Sequence, residues 1–156
     1  MVVPATFRPL TSSDIDPVLL LMSQLYAHDD TIRWDEGRWR VGIQGLLADP
    51  ASGGIWLIRV NGANAGYLVL TVGYSLEFYG RFGLLDELYI AEPWRGQGLG
   101  SSALAFAEEQ CRSRGLKALR LEVFRDIVRA QELYRRSGFG LQDERYLMTK
   151  IVLNSS

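Results

Sequence analysis

The stretch PWRGQGLGSS, residues 93–102, places glycine at positions 96, 98 and 100, directly after Arg95. The run LLDELYI before it has the composition of a strand, and SALAFAEEQCRSRG after it has the pattern of a helix. The first N–H groups of a helix lack partners within the helix and carry partial positive charge, and glycine lets an anion approach them closely. The stretch therefore predicts a strand–turn–helix unit that binds a phosphate group.

Two common phosphate loops do not fit this spacing. A P-loop requires GxxxxGK followed by Ser or Thr, and residues 93–102 contain no lysine. A dinucleotide fold requires GxGxxG after the first strand, whereas the spacing here is GxGxG and the motif lies in the middle of the chain. The alternative without a ligand is a turn that only packs a helix against a sheet.

The composition is that of an ordinary globular domain. The 156 residues are 47% hydrophobic and 22% charged, and the net charge is −1. This balance favours neither nucleic acid nor an anionic membrane as a partner. The only cysteine, Cys111, excludes an internal disulfide, and the only histidine, His28, cannot complete an HExxH site, so we expect no metal. We expect one domain over residues 1–156, in the cytoplasm, without a signal peptide or membrane span.

Periodicity along the chain predicts a mixed sheet covered by helices. Apolar residues at helical spacing indicate one helix ending near Tyr26 and a second one before Pro50. Asn61-Gly62 lies between two apolar runs and predicts a hairpin, because both turn positions accept positive φ. Residues 75–82 are either continuing strand or a connecting loop. In chain order we expect a strand at 6–10, the two helices, strands at 54–60, 65–74 and 82–91, a helix at 99–114, a strand at 117–124, a helix at 127–138 and a last strand at 145–153.

The glycine stretch and the sequence after it resemble one known family. RGQGLG, residues 95–100, is similar to the R/Q-x-x-G-x-G/A loop with which the GNAT N-acetyltransferases bind the pyrophosphate of acetyl-CoA. LRLEV and RAQELYRRSGF resemble the family's next strand and helix, and YLMTK resembles its last strand. The resemblance implies the GNAT acyl-CoA N-acyltransferase fold. That fold is α/β (α+β), with a mixed, mostly antiparallel central sheet, splayed strands and about four flanking helices.

The resemblance also implies a place for each part of acetyl-CoA, the expected cosubstrate. The pantetheine arm would lie along the strand Leu88-Tyr89-Ile90, and a main-chain N–H there would polarise the thioester carbonyl. The pyrophosphate would bind at the glycine loop. The residues implied for this loop are Arg95, Gly96, Gln97, Gly98, Leu99, Gly100 and Ser101.

Acetyl transfer to an amine needs a neutral amine and a proton for the departing thiolate. By the resemblance Tyr134, in ELYRRSGF, is the proton donor, and a phenol with a pKa of about 10 can protonate a thiolate. The alternative for Tyr134 is a core aromatic. A carboxylate near the pantetheine strand, Glu87 or Asp86, would assist deprotonation of the amine directly or through water.

The alternation of side chains along a strand predicts which of Glu87 and Asp86 faces the site. Consecutive strand residues point to opposite faces, so we expect only one of them at the site. Glu87 would share a face with Leu85 and Tyr89, and Asp86 would share the other face with Leu88 and Ile90. We favour Glu87 as the base. An anchor for a loop is the alternative role for either carboxylate.

The resemblance implies that the acceptor site is built from the first pair of helices and neighbouring loops. This sequence combines aromatic and acidic side chains there, which suit a cationic amine through cation–π contact and charge pairing. We expect a small primary amine, polyamine-like or an amino sugar, that attacks directly without a covalent enzyme intermediate. The alternatives are a protein lysine or N-terminal acetyltransferase, a catalytically silent acyl-CoA-binding module and, more distantly, a nucleotide-binding protein. Family analogy also implies a homodimer. The acceptor candidates are Tyr26, Asp29, Trp34, Glu77 and Tyr79.

Overall fold

A five-stranded sheet forms the centre of the computed structural model, which describes residues 3–123, 127–142 and 145–153. The strands follow the order β1-β2-β3-β4-β5; the first four pair antiparallel, and β5 runs parallel to β4. This mixed sheet with its four helices confirms the predicted fold class. The strands are β1 (Thr6–Pro9), β2 (Gly53–Val60), β3 (Ala63–Ser75), β4 (Gly80–Ile90) and β5 (Leu119–Leu121), and the helices of the described ranges are α1 (Ile15–Tyr26), α2 (Glu36–Ala48), α3 (Leu99–Ser113) and α4 (Val128–Arg136).

The hairpin between β2 and β3 turns where the sequence predicts it. Asn61 and Gly62 both have positive φ, of 50° and 79°, which matches the twist of the flanking strands. The next connection combines both alternatives given for residues 75–82. β3 ends at Ser75, a short 3₁₀ turn covers Leu76–Phe78, and β4 begins at Gly80.

Two apolar layers cover the two faces of the sheet, because alternate strand residues point to opposite sides. On one face the sheet packs against α1 and α2. On the other face it packs against α3, with Leu133 and Tyr134 of α4 at the margin of that layer. The first layer includes Leu57, Tyr67, Val69 and Tyr89 with Val18 and Met22 of α1, and the second includes Ile58, Leu68, Leu70 and Leu85 with Ala103 and Ala107 of α3.

The turn that leads into α1 is held by a buried carboxylate. Asp14 accepts hydrogen bonds from the backbone N–H of Thr11 at 3.0 Å and from its hydroxyl at 2.9 Å, and it pairs with Arg8. Burial alone would raise the pKa of Asp14, but the hydrogen bonds from Thr11 and the charge of Arg8 outweigh burial and lower it. The ionised form of Asp14 therefore stabilises the start of the helix.

The end of the chain departs from the prediction. The strand expected at 145–153 is wrong, since these residues form no strand and Leu147, Met148 and Val152 are exposed. Of the strand expected at 117–124, the described residues form only Leu119–Leu121, and residue 124 lies outside the described residues. An apolar run becomes a strand only when it pairs with a neighbouring strand, and residues 145–153 pair with none of the described strands. The helix expected at 127–138 is confirmed as α4.

None of the helices in the described ranges combines the length and the apolar character that a membrane crossing requires.

Candidate active site

A bulge in β4 changes the direction of two neighbouring carboxylates. Opposite β3, Leu85 pairs with Leu70 and Glu87 pairs with Val69, so Asp86 is an extra residue in β4. An extra residue interrupts the alternation of faces. Asp86 and Glu87 consequently line the same cavity. The prediction that only one of them reaches the site is therefore wrong.

The same bulge corrects the predicted grouping of their neighbours. Glu87 shares its face with Tyr89, as predicted, but Leu85 packs in the opposite layer against α3. Leu88 and Ile90 also pack in that α3 layer, so Asp86 does not share their face.

The cavity lies between α2 and the sheet and has a volume of about 280 Å³. Residues spaced by four along α2 form its wall, because such residues lie on one face of a helix. Glu87, Asp86 and apolar strand residues form the opposite side. The lining residues are Met22, Arg38, Trp39, Gly42, Ile43, Leu46, Ile55, Val69, Thr71, Asp86 and Glu87.

Two phenols face the carboxylate of Glu87. The hydroxyl of Tyr67, a fully buried residue, donates to Oε1 of Glu87 at 2.7 Å, and the phenol of Tyr26 lies near the same carboxylate. Burial raises the pKa of Glu87, the interactions with Tyr67 and Tyr26 oppose this, and the charge of Asp86 adds to it. Burial and the nearby Glu87 raise the pKa of Tyr67 and of Tyr26, so both phenols keep their protons. Glu87 is thus an oriented carboxylate with a raised pKa.

Asp86 is exposed to solvent at the mouth of the cavity and has no hydrogen-bond or ion-pair partner among the described residues. Its partial desolvation there raises the pKa of its carboxyl group. One carboxylate of the pair is fixed and the other is free to meet a ligand.

The edge of β4 opens beside this cavity. β5 pairs with β4 only at Gly83, Leu84 and Leu85, whereas β3 follows β4 as far as Ile90. Beyond Leu85, β4 thus has no strand on its β5 side within the described ranges. This divergence confirms the predicted splay of the sheet. Along this edge the main chain of Leu88–Ile90 has no neighbouring strand among the described residues, and the Ile90 carbonyl accepts a side-chain hydrogen bond from Arg95.

The glycine loop leads from this edge into α3. Gly96 and Gly98 have φ of +73° and +80°, a region that other residues rarely adopt. Gly98 is the N-cap of α3; no side chain caps it, and no acidic residue lies in the first turn. The amides at the start of the helix are therefore available to an anion. Ser101 is exposed, whereas the Ser102 hydroxyl donates back to the Gly98 carbonyl at 3.1 Å.

Polar side chains fix this loop on the end of β4. The Nε of Arg95 donates to the Ile90 carbonyl at 2.9 Å, and its guanidinium lies 5.6 Å from the centre of the Tyr89 ring. The amide nitrogen of Gln97 donates to the Pro93 carbonyl at 3.2 Å. These contacts hold Arg95 and the rest of the loop against the end of β4.

Gly100, the third glycine of the stretch, is explained by helix packing and not by a positive φ. A Cβ at Gly100 would lie 3.0 Å from Cδ2 of Leu133 in α4, so glycine there allows α3 and α4 to approach closely.

Tyr134, the residue after Leu133 in α4, packs edge-on against Phe139 with ring centres 6.1 Å apart. Its hydroxyl has no partner in the part of the chain that the structure describes, and burial raises its pKa. Tyr134 therefore carries a proton at neutral pH.

Comparison with known proteins agrees with this geometry. A family model described as the acetyltransferase (GNAT) family matches residues 19–139. The chain belongs to the GNAT family. It is 30% identical over 132 residues to the aminoalkylphosphonate N-acetyltransferase of Salmonella typhimurium, a match that covers 85% of this chain and 82% of that protein. This acetyltransferase is thus an acetyl-CoA-dependent acyltransferase.

Solved structures share the fold of this GNAT chain. An integron cassette protein from the mobile metagenome of Cole Harbour Salt Marsh aligns with a TM-score of 0.81 and 29% identity, covering 96% of this chain and 91% of that one. A predicted acetyltransferase with acetyl-CoA from Clostridium acetobutylicum aligns with a TM-score of 0.77 and 16% identity, covering 94% and 96% of the two chains.

Two of the acceptor candidates in this GNAT chain, Tyr26 and Trp34, pack against Trp39 of the cavity wall. Tyr26, Trp34 and Trp39 form an aromatic cluster, with ring centres 4.9 Å apart for Tyr26 and Trp39 and 4.8 Å apart for Trp34 and Trp39. Tyr26 connects this cluster to Glu87, whose nearby charge raises the pKa of the phenol. Neither Tyr26 nor Trp34 lines the cavity itself, and both lie behind Trp39, which does.

The other three acceptor candidates lie elsewhere. Glu77 pairs with Arg120 at 2.7 Å and with Arg145 at 3.4 Å, in the turn before β4, so its charge is already balanced. Tyr79 is 90% exposed beside it. Asp29 accepts hydrogen bonds from the N–H and the hydroxyl of Thr31 and shapes the loop after α1. None of these three lines the cavity.

Sequence reasoning missed Tyr67, Arg38 and Gly42. Tyr67 lies in a strand whose apolar pattern indicates only core, and its bond to Glu87 depends on the register set by the bulge. Gly42 carries a usable signal, because a glycine inside a helix costs about 0.5–1 kcal/mol relative to alanine and therefore suggests a local need for space.

Proposed function

We propose that this acetyltransferase transfers the acetyl group of acetyl-CoA to the primary amine of a small molecule by direct attack. The observation that carries the proposal is the pair of carboxylates, Asp86 and Glu87, in one cavity next to the open edge of β4. The name of the Salmonella typhimurium relative, an aminoalkylphosphonate N-acetyltransferase, supports a small amine-bearing acceptor.

The cosubstrate fits the residues present. Its pyrophosphate would accept hydrogen bonds from the main-chain amides between Gly96 and Ser101, where the positive φ of Gly96 and Gly98 shapes the turn. Leu99 is buried, so only its backbone would take part. Leu88, Tyr89 and Ile90 would hold the pantetheine arm by their main chain, since their side chains pack into the two layers. Acetyl-CoA supplies the acetyl group as a thioester.

Asp86, Glu87 and Tyr134 would each have a separate role in the reaction. Asp86 would hold the incoming ammonium group by its charge. Glu87 would take the proton that leaves this amine, because its raised pKa brings it closer to that of the amine. Tyr134 would give its proton to the departing thiolate, since burial keeps the phenol neutral.

The size of the cavity accommodates a small-molecule amine, and the comparison with a lysine-containing peptide below distinguishes this acceptor from a protein lysine. A volume of about 280 Å³ behind the wall of α2 suits a compact amine. The silent binding module is disfavoured, because a site that only binds acetyl-CoA has no need of two carboxylates with raised pKa beside the open strand edge. The homodimer and the cytoplasmic location stay predictions.

The test is turnover. Purified protein is mixed with acetyl-CoA and a panel of small primary amines, a lysine-containing peptide and buffer alone. Release of the coenzyme A thiol and the mass of the acetylated product are both measured. The proposal expects product with at least one small amine and little with the peptide. Binding of acetyl-CoA without any acetylated amine would instead support the silent module.

A further inference from the structure

One cationic side chain lines the acceptor cavity. Of the eleven lining residues, Arg38 alone carries a positive charge, and it lies in the first turns of α2. The carboxylates of Asp86 and Glu87 belong to the strand side of the same cavity. The cavity therefore presents both signs of charge to whatever enters it.

The charge of Arg38 is only weakly used within the protein. Its Nε lies 3.6 Å from Oδ2 of Asp35, beyond hydrogen-bond distance, and its side chain forms no hydrogen bond within the described ranges. It forms no ion pair with Asp86 or Glu87. Arg40, two residues later, contrasts with it, because Arg40 donates to Asp16 of α1 at 2.6 Å. Arg40 thus joins two helices, and Arg38 has guanidinium donors left for a ligand.

The helix surface next to Arg38 is kept clear. Gly42 lies one turn further along α2 on the same face, and a Cβ there would meet nothing within 4 Å. A molecule inside the cavity can therefore reach towards Arg38 without crossing a side chain at position 42.

We infer that the acceptor is an amphoteric small molecule, with its amine at Asp86 and Glu87 and an oxyanion, a carboxylate or phosphonate, bound by Arg38. The inference rests on the proposed function and narrows its substrate class. The planar guanidinium matches such oxyanions through paired N–H donors. The small cavity favours a short spacer between the two groups. Arg38 is then the residue that separates amino-acid-like acceptors from plain amines and diamines.

The experiment compares short amines of three carbon atoms that differ in their second functional group. Propylamine, 1,3-diaminopropane, 3-aminopropanoate and 3-aminopropylphosphonate are each assayed with acetyl-CoA on the wild type and on Arg38→Gln. Arg33→Gln is the matched control, because Arg33 is exposed, lies in the preceding loop and does not line the cavity. Calorimetric binding of each compound in the presence of coenzyme A gives a readout that does not require turnover.

The inference expects one or both oxyanion-bearing amines to be the better substrates. Arg38→Gln should lower their kcat/KM by about tenfold to a hundredfold, mainly through KM, since a hydrogen-bonded charge is lost. Propylamine should change by less than about twofold on the same scale. Arg33→Gln should leave all compounds unchanged.

Contrary results distinguish a failure of the amphoteric acceptor from a failure of amine acetylation itself. Preference for propylamine or the diamine, with no effect of Arg38→Gln, overturns the amphoteric acceptor and leaves amine acetylation standing. Acetyl-CoA binding with no acetylation of any amine overturns both. An equal loss in Arg38→Gln and Arg33→Gln shows an effect of net charge and contradicts a specific role for Arg38.

Discussion

Replacing Gly42 by alanine tests the acceptor cavity without damaging the fold. Gly42 lies inside α2 and lines the cavity, and a Cβ at this position would meet nothing within 4 Å. Alanine is favoured over glycine within a helix by about 0.5–1 kcal/mol. Gly42→Ala should therefore unfold at a temperature about 1–4 °C higher than the wild type.

Activity should move in the opposite direction. The added methyl group enters a cavity of about 280 Å³. One methylene of misfit in a binding pocket is worth about 1–3 kcal/mol, so kcat/KM for the best amine should fall about tenfold or more. The acetyl-CoA dissociation constant should stay the same, because Gly42 belongs neither to the glycine loop nor to the open edge of β4.

Gly45→Ala provides the matched control. Gly45 lies in the same helix and has equally open surroundings, but it does not line the cavity. It should gain similar stability and keep full activity. Thermal unfolding and steady-state kinetics of both variants are measured side by side. Equal kcat/KM in the two variants would refute the assignment of the acceptor to this cavity.

Three further changes test the proton transfers and the turn before α1. Tyr134→Phe should lower kcat about a hundredfold while the acetyl-CoA dissociation constant stays within about twofold; a parallel loss of binding would contradict the role of acid. Glu87→Gln should abolish the acidic limb of the pH–rate profile, and an unchanged profile would exclude Glu87 as base. The variant should also become more stable relative to the wild type as pH rises through the raised pKa of Glu87, because the ionised wild-type carboxylate destabilises the folded protein. Asp14→Asn should lose about 1–2 kcal/mol of unfolding free energy at neutral pH, as judged by urea titration. Because the pKa of Asp14 is lowered, the wild type loses this advantage as pH falls through that pKa, and a difference that persists in acid would contradict the charge argument.

The features that local backbone chemistry dictates are predictable from the sequence. Asn61-Gly62 marks the hairpin, and Gly96 and Gly98 mark the turn before α3, because these positions need positive φ. The helix that follows this turn leaves its first amides without partners, so the same short stretch of sequence also predicts the anion site.

Features that depend on long-range pairing are not predictable in this way. The bulge at Asp86 arises from the register between β3 and β4, and it alone brings both carboxylates to one cavity. Glu77 has the sequence context of a free acidic residue, because its partners Arg120 and Arg145 are distant along the chain. Residues 145–153 show the same limit, since an apolar pattern does not reveal whether a partner strand is there.

The most direct test of the account is calorimetric binding of acetyl-CoA to the wild type, Gly96→Ala and Gly115→Ala. Both glycines have positive φ, of 73° and 69°, and open surroundings, so both variants should lose about 1–2 kcal/mol of stability through the same backbone strain. Gly96 belongs to the proposed pyrophosphate loop, and Gly115 lies beyond the far end of α3. The account predicts binding by the wild type and Gly115→Ala and an affinity at least about tenfold weaker for Gly96→Ala, since a misplaced loop loses charged hydrogen bonds. Folded wild-type protein that does not bind acetyl-CoA, or equal affinity in the two variants, would contradict it.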